Sequence, residues 1–445
     1  MADRFYLLNI TVSGIKCIKE EVRLDFYKKT VDKNFNPEKY RVKAIYGENG
    51  SGKSALITAV KIFQDLMDNK NYLNESKTQE FLSEIVNKST NIFRFSLEFF
   101  NELEGEKKVY QYTVHIGKGK DGLYEILYES LKWKNGSYAN NKYTVIFESR
   151  NGELTEVVCT DREKERIVKR TMNLLSTHSF LNLYFTILGV QFLSQENSAD
   201  GDLFDHLSIN LIFAISLKVY IAEEGQHELY FLQKRLKENE PDHQAFLDGF
   251  FKKGNLLSEV LGVNEKFVDK IFYEEYKEKV SQLTQFIKIF KSDLVSIDID
   301  AKENGEQYVC DLNLNYGDYI INKEFESTGI KKLIRLFDCF SSASRGGIVF
   351  VDEMDSNLND VYLCKLIEYF MYYGKGQLCF TTHNLDPMSV LKENKNSIDF
   401  LSSDNHLVPW TSRGNATPEN CYRNGMIEDL PFNIEATDFV GILGE

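Results

Sequence analysis

The chain has 445 residues, of which 42% are hydrophobic, 13% aromatic and 27% charged, with only 27 Gly and 6 Pro. This excludes disordered, collagen-like and low-complexity classes and leaves room for two or three units with sizeable cores. Lys and Arg total 53 against 67 Asp and Glu, a formal net charge of −14, so attraction of the whole surface to nucleic acid or anionic lipid is disfavoured while a local basic cleft stays open.

The N-terminus lacks a basic, apolar leader and no apolar stretch is long enough to span a membrane. Seven cysteines (Cys17, Cys159, Cys310, Cys339, Cys364, Cys379, Cys421) are scattered without a CxxC pair. Together these features point to a cytoplasmic protein with reduced thiols and no membrane partner.

Short β-like runs open the chain at Phe5 to Val12, Val22 to Phe26 and Val42 to Tyr46. The third ends in a glycine-rich turn, after which Leu56, Ala59, Val60, Phe63, Leu66 and Met67 recur at helical spacing and predict an amphipathic helix from Lys53 to about Asp68. Phe93 to Phe100, Val109 to Ile116 and Tyr143 to Phe147 read as an antiparallel sheet, which completes an N-terminal lobe over residues 1–160. Helical periods dominate from Asp161, beginning with DREKERIVKR and the apolar run Phe180 to Leu193, so residues 161–290 are expected to form a helical lobe.

Residues 291–445 form the third unit. Alternation at Ile297, Ile299, Cys310, Leu312 and Leu314 predicts a half-buried meander. Helix Lys331 to Phe340, strand Ile348 to Val351, helix Leu363 to Tyr372 and strand Gln377 to Thr381 then alternate as a parallel sheet covered by helices does. The expected class is α/β, a mixed sheet around a phosphate-binding core with an antiparallel N-terminal sheet and an inserted helical lobe.

Residues 47–54, Gly-Glu-Asn-Gly-Ser-Gly-Lys-Ser, match the phosphate-loop pattern GxxxxGK[ST] between a predicted strand and helix. Glycines let successive N–H groups and the helix N-terminus cradle phosphates. Lys53 offers a cation to the β- and γ-phosphates and the Ser54 hydroxyl a ligand to Mg²⁺. Gly47, Asn49, Gly50, Ser51, Gly52, Lys53, Ser54 and Ala55 are the expected nucleotide-binding positions. The alternative is a glycine turn that merely caps a helix.

Gly347 to Glu353 places two carboxylates after an apolar strand, at the sheet edge where nucleotides bind in open α/β folds. Asp352 would hold Mg²⁺ through its water shell, and Glu353 would orient and deprotonate the attacking water. Without an upstream phosphate loop, a solvated strand end would be the better reading of the two carboxylates. His383, at the end of the next strand, could sense the γ-phosphate or the water, although a single histidine is usually a surface or core residue. Ser327-Thr-Gly329 stands before a helix as a possible anion-binding turn and, read alone, is a good helix cap.

Walker A at 47–54, Ser327-x-Gly329, Walker B at 348–353, the turn Asp355-Ser356-Asn357-Leu358 and the TTH ending in His383 together resemble the ABC-class ATPase heads of the SMC, RecF and OLD group. The resemblance covers nearly the whole chain and extends to the FRFSLEFF and VYQYTVHI segments. It implies an ATP- and Mg²⁺-dependent ATPase with Lys53, Glu353 and His383 in catalytic roles. It also implies a homo-oligomer built from head dimers, in which Ser327 and Gly329 meet the γ-phosphate of the partner subunit.

A transporter signature would read closer to LSGGQ, and the insertion is too interrupted by apolar pieces for a long coiled coil. The architecture is similar to stand-alone ATPase subunits of two-gene phage-defence systems such as PARIS, AbiL and Septu. That similarity implies a separately encoded effector, a nuclease or toxin most like a Toprim nuclease, and a phage-encoded trigger. OLD and Gabija-like chains carry Toprim themselves, but residues 384–445 leave no room for it here.

Two features depart from the group. Asn357-Leu358-Asn359-Asp360 replaces its common sLHP, and Gln191, a Q-loop candidate, reads better as a helix-surface glutamine. Three functions stay open: a defence sensor or scaffold that controls the effector, a RecF-like repair ATPase that binds DNA directly, and a nucleotide-glued module with negligible turnover. Local positive charge exists in DREKERIVKR and along Gly329 to Arg335, but Asp161, Glu163 and Glu165 dilute the former into a solvated helix face. His115, His178, His206, His227, His243 and His406 belong to no metal or nuclease motif, so ATP energy is expected to act on conformation. The helical lobe and the segment after His383 are the expected surfaces for that output.

Overall fold

Strands β1 (Arg4–Ser13), β2 (Val22–Asp25), β3 (Val42–Gly47), β4 (Ile92–Leu103), β5 (Glu106–Lys118), β6 (Tyr124–Asn135), β7 (Thr144–Arg150) and β8 (Glu153–Val157) arise from the first third of the chain. Then come β9 (Leu217–Tyr220), β10 (Phe267–Asp269), β11 (Ser296–Asn304), β12 (Gln307–Asn315), β13 (Ile320–Asn322), β14 (Ile348–Val351), β15 (Gln377–Thr381), β16 (Ile398–Leu401) and β17 (Leu407–Pro409). The structure, a computed structural model, describes residues 4–188, 201–221, 262–411 and 416–427 apart from positions 104, 140, 265 and 395. Gln191 lies outside the described residues, as does much of the 161–290 segment.

The central sheet runs β17-β16-β3-β15-β14-β9. All of its pairs are parallel except β16 with β17. β3, β14, β15 and β16 are buried throughout, which explains why they read as apolar runs rather than as alternations. Their side chains still alternate between two cores. Ile45, Phe350, Cys379 and Leu401 face the first, shared with the antiparallel sheet, whereas Val42, Ala44, Tyr46, Val349, Val351, Leu378, Phe380, Ile398 and Phe400 face the second.

The helix Lys53–Asp68 sits inside the first core and is buried on nearly every face. Its Phe63 ring stacks on Phe95 at 5.4 Å and lies 5.2 Å from Tyr112, which joins it to the seven-stranded antiparallel sheet β2-β1-β4-β5-β6-β7-β8. The helix Thr328–Arg345 divides its faces differently. Leu336, Cys339, Phe340 and Ala343 enter the second core, while Ile330, Leu333, Ile334 and Phe337 enter a third with the β10–β13 sheet and the helix Tyr273–Phe290.

The expected α/β class, a phosphate-loop core sheet with an N-terminal antiparallel sheet, is the observed one. Two expectations about its periphery change. The 161–290 segment contains the described helices Asp161–Thr171, Phe180–Leu183, Gly201–Ser216 and Tyr273–Phe290, yet it also donates β9 to the central sheet, beside β14, and β10 to the sheet of β11–β13. The segment after His383 is no mere output surface either, because β16 pairs with β3 directly behind the phosphate loop. β9 and β16 are each short, and their burial comes from neighbours remote in sequence, so neither left a pattern of its own. No helix among the described residues is long and apolar enough to cross a membrane.

Two buried polar contacts fix the strands, one within the central sheet and one between the two sheets. Lys43 on β3 pairs with Asp399 on β16, both almost completely buried. Where the β1–β4 ladder slips between Leu7 and Asn9, the Gln377 side chain accepts from the Leu7 N–H at 2.7 Å and donates to the Leu7 carbonyl at 3.0 Å. Gln377 thereby completes the hydrogen bonding of the bulged strand from the other sheet. Replacing it with Leu strands both Leu7 groups away from water. A loss of about 2–4 kcal/mol is expected, read by thermal or denaturant unfolding.

Candidate nucleotide-binding site

Parallel register builds the site. Val351 pairs with Phe380 and Thr381 with Ile45, so the carboxyl ends of β14, β15 and β3 finish side by side. Each then releases a different chemical group: Asp352 and Glu353 from β14, Thr381 to His383 from β15, and the phosphate loop from β3. Sequence reasoning had these motifs in order but not in contact, and the structure brings them together.

The loop turns through left-handed backbone at Gly50 (φ +82°) and Gly52 (φ +107°), and Gly52 caps the helix that begins at Lys53. A Cβ at Gly52 would lie 2.9 Å from Ile18, so the β1–β2 connection leaves no room for a side chain. Lys53 is 6% exposed and its Nζ donates to the carbonyls of Gly47 at 2.9 Å and Glu48 at 2.8 Å. Burial lowers its pKa, while Asp352, Glu353 and Asp355 act in the opposite direction. Beside it the Ser51 side chain is fully buried and its Oγ has no partner among the described residues, an open polar atom within the cradle.

Ser54 Oγ donates to Asp352 Oδ1 at 3.1 Å, which joins the two expected metal-ligating groups. Thr381 Oγ1 donates to the same carboxylate oxygen at 2.6 Å and accepts from the Glu353 N–H at 2.7 Å. Asp352 N–H in turn donates to the Tyr220 carbonyl of β9. Thr381 and Tyr220 escaped the sequence reading. The TTH run contained Thr381 but offered no sign that its hydroxyl, rather than His383, would touch Walker B.

Glu353 adopts φ +49°, a left-handed conformation rare for a residue with a long side chain. His383 is exposed, and its imidazole is held below its usual range by desolvation and by Lys53, with Asp355 and Asp352 opposing. The balance favours its neutral form. Asp355 carries a buried carboxylate oxygen without a partner and acts electrostatically on Lys53, His383 and Lys332, a role its turn position did not advertise.

Lys332 was missed as well, since its place in a helical run suggested only a basic surface. It is 5% exposed, and Nζ donates to the Glu353 carbonyl, the Ser356 hydroxyl and, at 2.9 Å, the Ser356 carbonyl. Desolvation pushes its pKa down to about 8 against the pull of Asp355, Glu353 and Asp352.

Ser327 caps the helix Thr328–Arg345 by accepting from the Ile330 N–H at 3.4 Å. Gly329 packs on the turn after Walker B, where a Cβ would meet the Asn357 carbonyl oxygen at 2.6 Å. Among the described residues no hydrogen bond joins Ser327 or Gly329 to the loop 47–54 of the same chain.

Hard oxygen donors at Ser54 and Asp352, an ammonium satisfied only by its own loop, and the open Ser51 hydroxyl fit a Mg²⁺-nucleoside triphosphate. The carboxylates of Asp352, Glu353 and Asp355 outnumber the adjacent cations, so a polyphosphate would need a divalent cation between itself and this edge.

No family model matches the chain, and no curated protein matches it. Among solved structures it is similar to the recombination mediator protein RecF of the RecFOR pathway. One match, designated RecF-ATPrS, has a TM-score of 0.40 and 14% identity over 92% of this chain and 99% of that one. Another, RecF-ATP, has a TM-score of 0.38 and 14% identity over 90% and 98%. The assignment of the site rests on its geometry.

Gly329→Ala should lower the melting temperature measurably, by about 1–3 kcal/mol of stability, because the new methyl displaces the Asn357 turn. Thermal denaturation of the purified variant checks this. An unchanged melting temperature would return Gly329 to a purely ligand-facing role.

Proposed function

We propose that this chain is an ABC-class ATPase that binds Mg²⁺-ATP on the loop 47–54 and hydrolyses it with Glu353 as base. The observation that carries the reading is the convergence of Ser54 and Asp352 at 3.1 Å beside Lys53, at the edge shared by three parallel strands. Bound Mg²⁺ would neutralise phosphate charge. Lys53 would exchange its loop carbonyls for phosphate oxygens, and Ser51 would gain the partner it lacks. Asp352, locked by Thr381, presents one fixed oxygen to the Ser54 side, while neutral His383 can hydrogen-bond at the outer rim.

The resemblance of Ser327-x-Gly329 to the signature of ABC-class heads supports a dimer in which these residues complete the partner's site. The finer reading is a cytoplasmic defence sensor or scaffold whose ATP cycle controls a separately encoded effector, a Toprim-type nuclease, in response to a phage-encoded trigger. Its support is the resemblance of the motif set at 47–54, 327–329, 348–353 and His383 to the stand-alone ATPase subunits of two-gene defence systems.

Lys53→Ala removes the cation and should weaken ATP binding by about tenfold or more. Glu353→Gln should leave binding intact and slow turnover by about a hundredfold. Isothermal titration with ATP and a phosphate-release assay separate the two, and equal loss of binding in both would make Glu353 structural.

Ser327→Ala and Lys53→Ala subunits, each inactive alone, should regain part of the activity when mixed, because one composite site is then intact. No regain despite demonstrated subunit exchange excludes the dimer described. For the finer reading, the product of the neighbouring gene should co-purify, and both Lys53 and Glu353 variants should fail in a phage challenge. Duplex DNA binding with a steep salt dependence by the isolated chain would instead favour a RecF-like repair role.

A further inference from the structure

Glu353 is strained where its carboxylate is needed. A left-handed glutamate persists only when its surroundings over-determine it, and here both flanking peptide groups are held by side chains. Its N–H donates to Thr381 Oγ1, and its carbonyl accepts from Lys332 Nζ as well as from the hydroxyl and the N–H of Ser356, each at 3.1 Å. The Lys332 ammonium has three N–H bonds and finds three acceptors, the Glu353 carbonyl and both oxygens of Ser356. Lys332 lies on the helix Thr328–Arg345 among the buried residues Ile330, Leu333, Ile334, Leu336 and Phe337, a position where an apolar side chain would cost less to bury. Its neighbour Lys331 follows the ordinary course of a surface lysine, donating to the Glu324 carbonyl from an exposed position.

We propose that Lys332 is a positioning residue for ATP hydrolysis, holding Glu353 in its left-handed conformation and coupling the helix that begins at Ser327 to the Walker B turn of the same chain. This rests on the reading of Glu353 as the base. A helix displaced at Ser327 would move Lys332, and with it the Glu353 carbonyl. The carboxylate is thereby linked mechanically to the segment proposed to engage a partner's nucleotide.

The test uses the full chain carrying Lys332→Met, Lys332→Arg or Ser356→Ala, with Glu353→Gln as reference. Lys332→Met should bind ATP within about twofold of wild type while kcat falls by about tenfold to a hundredfold, with KM nearly unchanged. Lys332→Arg, which keeps the charge and donors, should recover part of the lost kcat. Combining Lys332→Met with Glu353→Gln should add little further loss, because the lysine acts through the glutamate.

Ser356→Ala removes one acceptor of Lys332 together with one donor to the Glu353 carbonyl, and should lower kcat modestly without affecting affinity. It also supplies the readout if Lys332→Met does not fold. Wild-type kcat in Lys332→Met and Ser356→Ala, or multiplicative losses in the double variant, would overturn the proposal while leaving the ATPase reading intact. A wild-type chain that binds ATP but shows no turnover would overturn both.

Discussion

Thr381 Oγ1 is the atom on which the site depends. It donates to Asp352 and receives from the Glu353 N–H, so a single hydroxyl on β15 sets the orientation of one carboxylate and anchors the backbone of the other. It can do so only because β15 lies between β14 and β3 in parallel register. A slip of one residue would turn Thr381 to the opposite face and leave Asp352 facing Ser54 without support. The buried Lys43–Asp399 pair and the Gln377 contacts with Leu7 oppose such slips, since each can form only in one alignment of its sheet.

Electrostatics give the arrangement its readiness. Three carboxylates and two largely buried lysines share a small volume, and the lysines are not equivalent. Lys53 is satisfied by carbonyls of a glycine loop, acceptors it would surrender to phosphate oxygens in the function proposed. Lys332 is satisfied by acceptors whose position matters in its presence, the Glu353 carbonyl and the Ser356 turn. The first lysine is placed for exchange and the second for holding. Burial lowers the pKa of both, and the carboxylates beside them offset part of that desolvation cost.

The helix Thr328–Arg345 carries this logic away from the nucleotide edge. Because it contributes to two cores, it cannot move against one without moving against the other. Its N-terminus also packs tightly on the turn after Walker B, at the closest approach that Gly329 permits. Cap, buried lysine and close glycine thus place the Ser327 end and the Glu353 end of the site in one stiff unit.

The phosphate loop was legible in the sequence because its chemistry is local: glycines for left-handed turns, a lysine and a serine at the start of a helix, all within eight positions. The apolar strands β3, β14 and β15 and the helix Lys53–Asp68 were legible for the same reason, as burial on two faces and helical spacing each leave a pattern in adjacent residues. Only the tertiary structure could decide what lies across strands. Thr381 against Asp352, Gln377 against the Leu7 bulge, β9 and β16 inside the central sheet, and Lys332 beneath Glu353 each join partners far apart in the chain. The composition around those residues is what a surface lysine, a strand-end threonine or a short loop also shows. A hydrogen bond between remote residues depends on register and on the angle at which elements pack, and neither is written in any local run of amino acids.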